Sequence, residues 1–195
     1  MRKNLRQLSS LPRGLLLFQS HRTIHRKKPI VVSNDVTLQH TRLFHSRKRL
    51  IDKTILGTIG PSEIIYGEQS LKARFPRYLQ RYTQDYDIYS PHPRKDAVQA
   101  EKALDHRFRG NFFYVKKAQH LGTYKVVAYA NSEGYADFSK KPNHVPYDKI
   151  NGKNYVKLSV EKEHRIHSLK DPSFEWRHGK DRDALNRIKI YERGK

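Results

Sequence analysis

The sequence contains no cysteine. A chain without thiols forms no disulfide, offers no thiolate nucleophile and builds no iron-sulfur cluster or zinc ribbon. Tryptophan and methionine are almost as scarce, with one of each, whereas there are 12 tyrosines and 8 phenylalanines. Because tyrosine carries a polar hydroxyl on its ring, this balance favours aromatic surfaces that stay partly wet over a dry core.

Acidic residues and long apolar runs are also few. Asp and Glu number 19 against 40 Lys and Arg, which gives a formal net charge of +21. Hydrophobic residues make up 36% of the chain, and no run approaches the length of about 20 apolar residues that a membrane-spanning helix needs. We therefore predict no membrane span and a small core whose burial is completed against a partner.

Motifs of the common enzyme classes are missing as well. Gly-Lys occurs at residues 152–153 and 179–180 without the rest of a phosphate-binding loop, and no Gly-x-Ser-x-Gly sequence is present. His164 and His167 lie near Glu161, but no cysteine or recognisable third ligand completes a metal site. The sequence therefore predicts no enzyme, no metal, no cofactor and no small-molecule substrate.

The N-terminal segment holds eight Lys and Arg residues in its first 34 positions and no acid. Leucines recur there at helical spacing between arginines and serines, a pattern typical of a mitochondrial presequence. Residues 42–46 resemble an arginine-directed cleavage site, and residues 18–20 are an earlier candidate. We predict a presequence over residues 1–45 and a location in the mitochondrial matrix. The alternative is a basic RNA-binding arm of a cytosolic or plastid protein.

The positive charge extends beyond this leader. Residues 1–53 hold 13 basic and two acidic residues, and the remaining 142 residues hold 27 and 17. Such an excess favours a polyanionic partner, because a phosphate backbone releases a counterion for each charge that is neutralised. Anionic lipid is the competing polyanion, but no stretch combines a strong apolar face with a basic one. Nucleic acid is therefore the predicted partner.

The helical patterns are short. Residues 54–69 are predicted to be extended, because two glycines and a proline disfavour a helix there. Apolar residues then recur every three or four positions between residues 71 and 86, which predicts an amphipathic helix with a cationic second side. Another helix is predicted to begin at Asp96, which forms a capping box with Gln99, and to end before Gly110.

The pattern changes to that of strands over residues 111–160. Residues 124–129 and 135–138 are rich in aromatic and β-branched residues and flank an Asn-Ser-Glu-Gly turn. Asn151-Gly152 predicts a second, tight hairpin. The predicted fold class is α+β: a small domain with one or two helices followed by an antiparallel β-meander, flanked by extended basic N- and C-terminal arms.

These patterns divide the chain into four predicted segments. After the presequence (1–45) come a basic arm with a short amphipathic helix (46–93), an α+β RNA-binding core (94–165) and a charged C-terminal tail (166–195). The tail is predicted to be extended or partly helical, with a weak helical signal around residues 184–190, and a tail of such composition usually becomes ordered only on a partner.

Basic residues and tyrosines interleave in the arm and the core, as on RNA-binding surfaces. Strand alternation puts Tyr114 and Lys116 on one face, where the ring can stack on a base and the amine can hold a phosphate. The predicted RNA-binding residues are Arg47, Lys48, Arg49, Arg74, Arg77, Arg81, Arg107, Arg109, Tyr114, Lys116, Lys117, Lys125, Lys140 and Lys141.

The whole profile resembles that of mitochondrial ribosomal proteins as a class, with a presequence, a small basic core and extended arms. This resemblance implies a structural constituent of the mitochondrial ribosome that binds rRNA through phosphate contacts and aromatic stacking, with neighbouring mitochondrial ribosomal proteins as further partners.

Two alternatives remain open. One is a mitochondrial RNA-processing or DNA-maintenance factor, including a metal-dependent nuclease built on Glu101, Asp137 and Glu161, although the Glu-x-Lys step of such nucleases is missing. The other is a matrix-side assembly or respiratory-complex subunit that binds protein or lipid.

Overall fold

The computed structural model of the protein describes residues 47–194. The predicted presequence and its candidate cleavage sites lie outside these residues. Among the described residues, no helix is both long and apolar enough to cross a membrane.

The described chain surrounds one sheet with helices. The helices are α1 (Lys48–Thr58), α2 (Glu68–Lys72), α3 (Pro93–Phe108), α4 (Leu158–Lys170) and α5 (His178–Arg193), with 3₁₀ turns at Arg77–Leu79 and Pro172–Arg177. The strands are β1 (Ile64–Tyr66), β2 (Tyr86–Ser90), β3 (Phe113–Lys117), β4 (Tyr124–Ala128), β5 (Gly134–Lys140), β6 (Tyr147–Ile150) and β7 (Lys153–Val156).

The sheet has seven strands in the order β3-β4-β5-β2-β1-β7-β6. β2 pairs with β5 and β1 with β7 in parallel, whereas the other neighbouring pairs are antiparallel. The predicted α+β class is confirmed at this level. The sheet is larger than the predicted meander, because β1 and β2 come from a segment that was not expected to form strands and join the two hairpins into one sheet.

The main core lies between one face of this sheet and helices α1 and α3. Ile51 of α1 and Leu104 of α3 are fully buried against inward-facing strand residues such as Ile88 and Phe138. Alternation along β2 buries Tyr86 and Ile88 in this core and turns the residues between them to the other face. The core therefore fixes which side chains the opposite face presents.

The opposite face looks across a cleft towards α4 and the Pro172–Arg177 turn. Helix α5 packs on a second, smaller core, in which its Ala184 and Ile188 meet Leu71 and Phe75. The C-terminal arm, which was predicted to be extended or partly helical, is therefore helical, and the extended alternative is wrong. These helices have narrow apolar faces, and their charges form pairs four residues apart, as in Glu161–Arg165, which support a helix locally.

The segment before β2 also differs from its prediction. α1 replaces the expected arm, and Gly57 is accommodated because it sits in the exposed last turn. The predicted helix between residues 71 and 86 is interrupted: α2 ends at Lys72, and Pro76 caps the 3₁₀ turn that follows. The apolar spacing there instead reflects burial against α5 in the second core.

Candidate active site

The cleft floor is built by neighbouring strands that are held in register. Asp137 on β5 is paired with Asp87 on β2, Asp87 with Tyr66 on β1, and Asp137 with Lys125 on β4. Side chains that are paired in this way lie side by side on one face of a sheet. Asp85 directly precedes β2, and it lines the same cleft as Asp87. The fold thus places a row of carboxylates across the middle of the sheet.

Burial and mutual repulsion perturb these carboxylates. The pKa of Asp87 is raised to about 8, mainly by burial and then by the charges of Asp85, Asp137 and Glu161. Burial also raises the pKa of Asp137, against the opposing effect of Lys125, whose Nζ lies 2.5 Å from Oδ2. The buried Oδ1 of Asp137 has no hydrogen-bond partner among the described residues. A buried carboxylate oxygen without a hydrogen-bond partner is stabilised when a cation binds to it.

Gly67 joins β1 to α2 directly above these carboxylates. Its φ of +71° lies in the region that favours glycine. A Cβ at this position would lie 2.5 Å from Oδ2 of Asp87, and the backbone N–H donates to Oε1 of Glu161 over 2.6 Å. Glycine therefore allows the backbone to approach the carboxylate and connects the floor to α4.

Ion pairs with two buried acids order the opposite wall. Glu161 is 1% exposed and accepts a hydrogen bond from Nη1 of Arg165, whose buried Nε has no partner among the described residues. Nε of Arg177 donates to Asp181 over 2.9 Å, and Ser168 donates to the same carboxylate over 2.8 Å. The wall thus holds two guanidinium groups in fixed positions, because each is anchored by a buried acid.

The cleft has two arms that meet at Gly67 and Asp87. The sheet arm, of about 570 Å³, runs along Lys125 and Asp137 beneath α4. The helix arm, of about 270 Å³, runs between residues 81–85 and α5. The residues that line both arms are Gly67, Asp87, Arg165, Trp176 and Arg177. Both arms therefore combine cationic groups with access to Asp87.

Divalent cations fit this donor set only together with a further ligand. Within residues 47–194, no group of three or more His, Asp or Glu side chains is placed to hold a metal ion. Mg²⁺ at phosphoryl-transfer sites is commonly held by one or two carboxylates plus phosphate oxygens of the substrate. Asp87 and Asp137, with an unpartnered Oδ1 on the latter, match that arrangement.

Two of the predicted RNA-binding residues, Arg81 and Lys125, line the cleft. Arg74 is engaged within the fold, where it donates to Asp148 over 2.9 Å and to the carbonyl of Ser70 over 2.8 Å.

The other predicted RNA-binding residues lie outside the cleft lining. Lys48 pairs with Asp52, and Tyr114 packs against Tyr129 at 4.6 Å between ring centroids. Lys116 and Lys141 are half-buried, and the exposed members of the set are Arg47, Arg49, Arg77, Arg107, Arg109, Lys117 and Lys140. RNA contact by any of these residues stays a prediction.

Among the acids considered for a nuclease, Asp137 and Glu161 line the cleft. Glu101 is buried on α3, which packs on the opposite face of the sheet. Sequence reasoning missed Asp85 and Asp87. Their signal is an Asp-x-Asp step whose intervening Tyr86 begins an apolar alternation, which is how a strand presents two acids on one face.

No family model matches the sequence, and no curated protein matches it. Among solved structures, the Megavirus polyadenylate synthase is similar, with a TM-score of 0.64 and 22% identity over 80% of this chain. The likeness is one of fold. It covers 35% of that protein, so the chain spans about a third of its length. JHP933 from Helicobacter pylori has a TM-score of 0.49 and 14% identity, over 71% of this chain and 63% of JHP933.

This likeness corrects two predictions. The prediction of a structural ribosomal protein is wrong, because the described residues share their fold with part of a polyadenylate synthase. The prediction that the chain is not an enzyme is wrong for the same reason. Net charge favoured the ribosomal prediction, and missing catalytic motifs favoured the prediction of no enzyme. A cationic surface does not separate a protein that only binds RNA from one that modifies it. The alternative of an RNA-processing factor agrees better with this fold.

Proposed function

We propose that this chain is a nucleotidyltransferase that transfers a nucleoside monophosphate from a nucleoside triphosphate to RNA. One observation carries the proposal: Asp87 and Asp137 lie in register on the floor of a cleft whose wall holds two anchored guanidinium groups. Fold alone does not imply chemistry, so the argument rests on this arrangement of charges.

The arrangement suits in-line transfer to a hydroxyl. The acceptor oxygen forms a bond to the α-phosphorus, the bond to the bridging oxygen breaks, pyrophosphate leaves, and the hydroxyl proton passes to a cleft carboxylate. Asp87 and Asp137 would hold a divalent cation, which supplies neutralisation of phosphate charge when bound. Arg165 and Arg177 line both arms of the cleft and are placed to bind and orient the triphosphate oxygens.

Charge and exposed aromatic residues support RNA as the acceptor. The chain carries a net charge of +21, which favours a polyanion. Trp176 is 71% exposed and Tyr82 is 68% exposed, and both line the helix arm. Exposed rings of this kind stack on unpaired bases. The Megavirus neighbour is named as a polyadenylate synthase, which accords with transfer to RNA.

Primer extension tests the proposal. The full-length chain is incubated with a labelled single-stranded RNA, each nucleoside triphosphate in turn, and Mg²⁺ or Mn²⁺, and the products are resolved on a denaturing gel. We expect extension that chelation abolishes. Asp87→Asn and Asp137→Asn should each reduce the rate by about a hundredfold or more, because each removes a carboxylate that would hold the divalent cation.

Glu163→Gln is the matched control, since Glu163 is an exposed acid on α4 that does not line either arm. It should extend RNA at the wild-type rate. No extension with any triphosphate and either metal would overturn the proposal, and so would full activity in the two Asp variants. Shortening of the RNA instead of lengthening would contradict transfer and favour the nuclease alternative.

A further inference from the structure

A basic and aromatic segment is exposed beside the cleft. Residues 77–82, here called the Arg-Tyr segment, contain two Arg-Tyr steps, Arg77-Tyr78 and Arg81-Tyr82. Tyr78 is 80% exposed and Tyr82 is 68% exposed, and both arginines are exposed as well. Isolated exposed aromatic residues are common, but two in one short segment that alternates with cations indicate a binding surface.

The backbone of the Arg-Tyr segment is held in place, whereas its tyrosine and arginine side chains are exposed. Leu79 is buried with Phe75 and Ile188, and its carbonyl accepts from Nη1 of Arg187 over 3.2 Å. Nε2 of Gln80 donates to the carbonyl of Phe75 over 2.8 Å. Anchored in this way, the segment presents its tyrosines and arginines at a small entropic cost to a partner.

The Arg-Tyr segment leads into the cleft. Arg81 and Tyr82 line the helix arm together with Trp176 and Lys180. Asp85, the first of the floor carboxylates, lines the same arm. The Arg-Tyr segment therefore runs along the chain from the exposed Tyr78 to two residues of the arm that holds Asp85 and Asp87.

We propose that the Arg-Tyr segment binds single-stranded acceptor RNA upstream of its 3′ end, and so delivers that end through the helix arm to Asp87. The inference rests on the proposed function. Tyr78 and Tyr82 stack on unpaired bases, and Arg77 and Arg81 pair with phosphates. A duplex does not suit this surface, because its bases are already stacked and paired.

Fluorescence anisotropy tests this inference with the full-length chain, a labelled single-stranded RNA and chelator, without nucleotide. Replacing both Tyr78 and Tyr82 with Ala should weaken binding by about ten- to a hundredfold, whereas replacing both with Phe should retain it, because stacking uses the ring. Tyr147→Ala is the matched control, since Tyr147 is 48% exposed on the edge strand β6. It should bind RNA like the wild type. Circular dichroism checks that each variant is folded.

Each outcome decides the inference. It is overturned if the wild type does not bind the single strand, if the double Ala variant binds like the wild type, or if a duplex of the same sequence binds as tightly. In primer extension, the double Ala variant should raise KM for RNA and leave KM for the triphosphate unchanged. If the wild type binds RNA but shows no transferase activity, and the double Ala variant loses that binding, only the proposed function is contradicted. If the wild type has transferase activity but the double Ala variant has the same KM for RNA, only this inference is contradicted.

Discussion

Gly67 combines a backbone conformation that favours glycine with a close approach to the carboxylate of Asp87. Gly67→Ala should destabilise the chain by about 1–3 kcal/mol, because its φ of 71° and ψ of −145° lie in a region essentially confined to glycine. It should also displace Asp87, because a Cβ would lie 2.5 Å from Oδ2 of that residue. We therefore expect a loss of transferase activity larger than the loss of stability explains. Denaturant unfolding and primer extension measure the two effects.

Gly152→Ala is the control for this prediction. Gly152 also has a positive φ, of +79°, but nothing lies within 4 Å of a Cβ placed there. The variant should also lose stability through its positive φ, but it should keep the wild-type activity per folded molecule. If both glycine variants lose activity equally, the contact with Asp87 does not matter to the site.

Asp87 makes stability depend on pH in an unusual direction. Its pKa is raised from 3.8 to about 8 in the folded chain, chiefly by burial and then by the neighbouring acids. Between these values the folded state holds a proton that the unfolded state has lost, so this contribution to stability declines as pH rises towards about 8. Asn at this position is neutral at every pH and lacks the decline.

Asp87→Asn should therefore gain stability over the wild type by about 1–3 kcal/mol as pH rises from about 5 to about 8.5. The measurement is urea unfolding of the metal-free chain, in chelator, across this range. Glu163→Gln should instead parallel the wild type. A constant difference between Asp87→Asn and the wild type would show that the Asp87 carboxyl titrates normally.

At the scale of elements, local signals predict what local interactions build. The apolar stripe after Asp96 predicts a helix, and α3 is found there. The predicted capping box is wrong, because the helix begins at Pro93, its N-cap is His92, and the Asp96 carboxylate accepts from Ser90 instead. Asn151-Gly152 predicts a tight hairpin, and both residues have positive φ between the paired strands β6 and β7. The alternation around residues 124–138 likewise predicts the antiparallel pair β4 and β5.

Elements that depend on distant partners are not predictable in this way. The parallel pairing of Asp87 with Asp137 joins strands separated by a helix and a hairpin, and nothing within either strand specifies it. Leu71 and Phe75 have helical spacing, yet they are held by Ile188, far along the chain. Local periodicity therefore identified buried residues without showing which element buries them.

Two isoleucines of α5 test how this helix packs on the second core. Ile188 is fully buried, whereas Ile190 on the same helix is 50% exposed. Ile188→Ala should cost about 2–4 kcal/mol of unfolding free energy, because the removed atoms leave a cavity against Leu71 and Phe75. Ile190→Ala should cost less than about 1 kcal/mol. Urea unfolding followed by circular dichroism compares them, and equal costs would contradict the packing of α5 described above.

For the whole molecule, charge predicts the class of partner but not the chemistry done to it. A net charge of +21 favours a polyanion whether the chain builds a ribosome or modifies RNA. The distinguishing feature is the carboxylate row, which emerges only when β2 and β5 are aligned. Asp85 and Asp87 are visible in the sequence as an Asp-x-Asp step, but their third partner is not. The predicted presequence stays a prediction, because it lies outside the described residues.

Salt dependence tests how the cations are distributed over the molecule. Each phosphate of a single strand that is neutralised contributes about −0.7 to the slope of log K against log salt concentration. Replacing Arg77 and Arg81 together with Gln should therefore make the slope shallower by about 1.4 for single-stranded RNA. Arg94 and Lys95 are equally exposed at the start of α3, which packs on the face of the sheet away from the cleft, and replacing both with Gln should leave the slope unchanged. Anisotropy titrations of the wild type and both variants at several salt concentrations measure the three slopes.

Equal decreases in slope for both variants would mean that RNA is held by the diffuse charge of the whole surface and not along a path into the cleft.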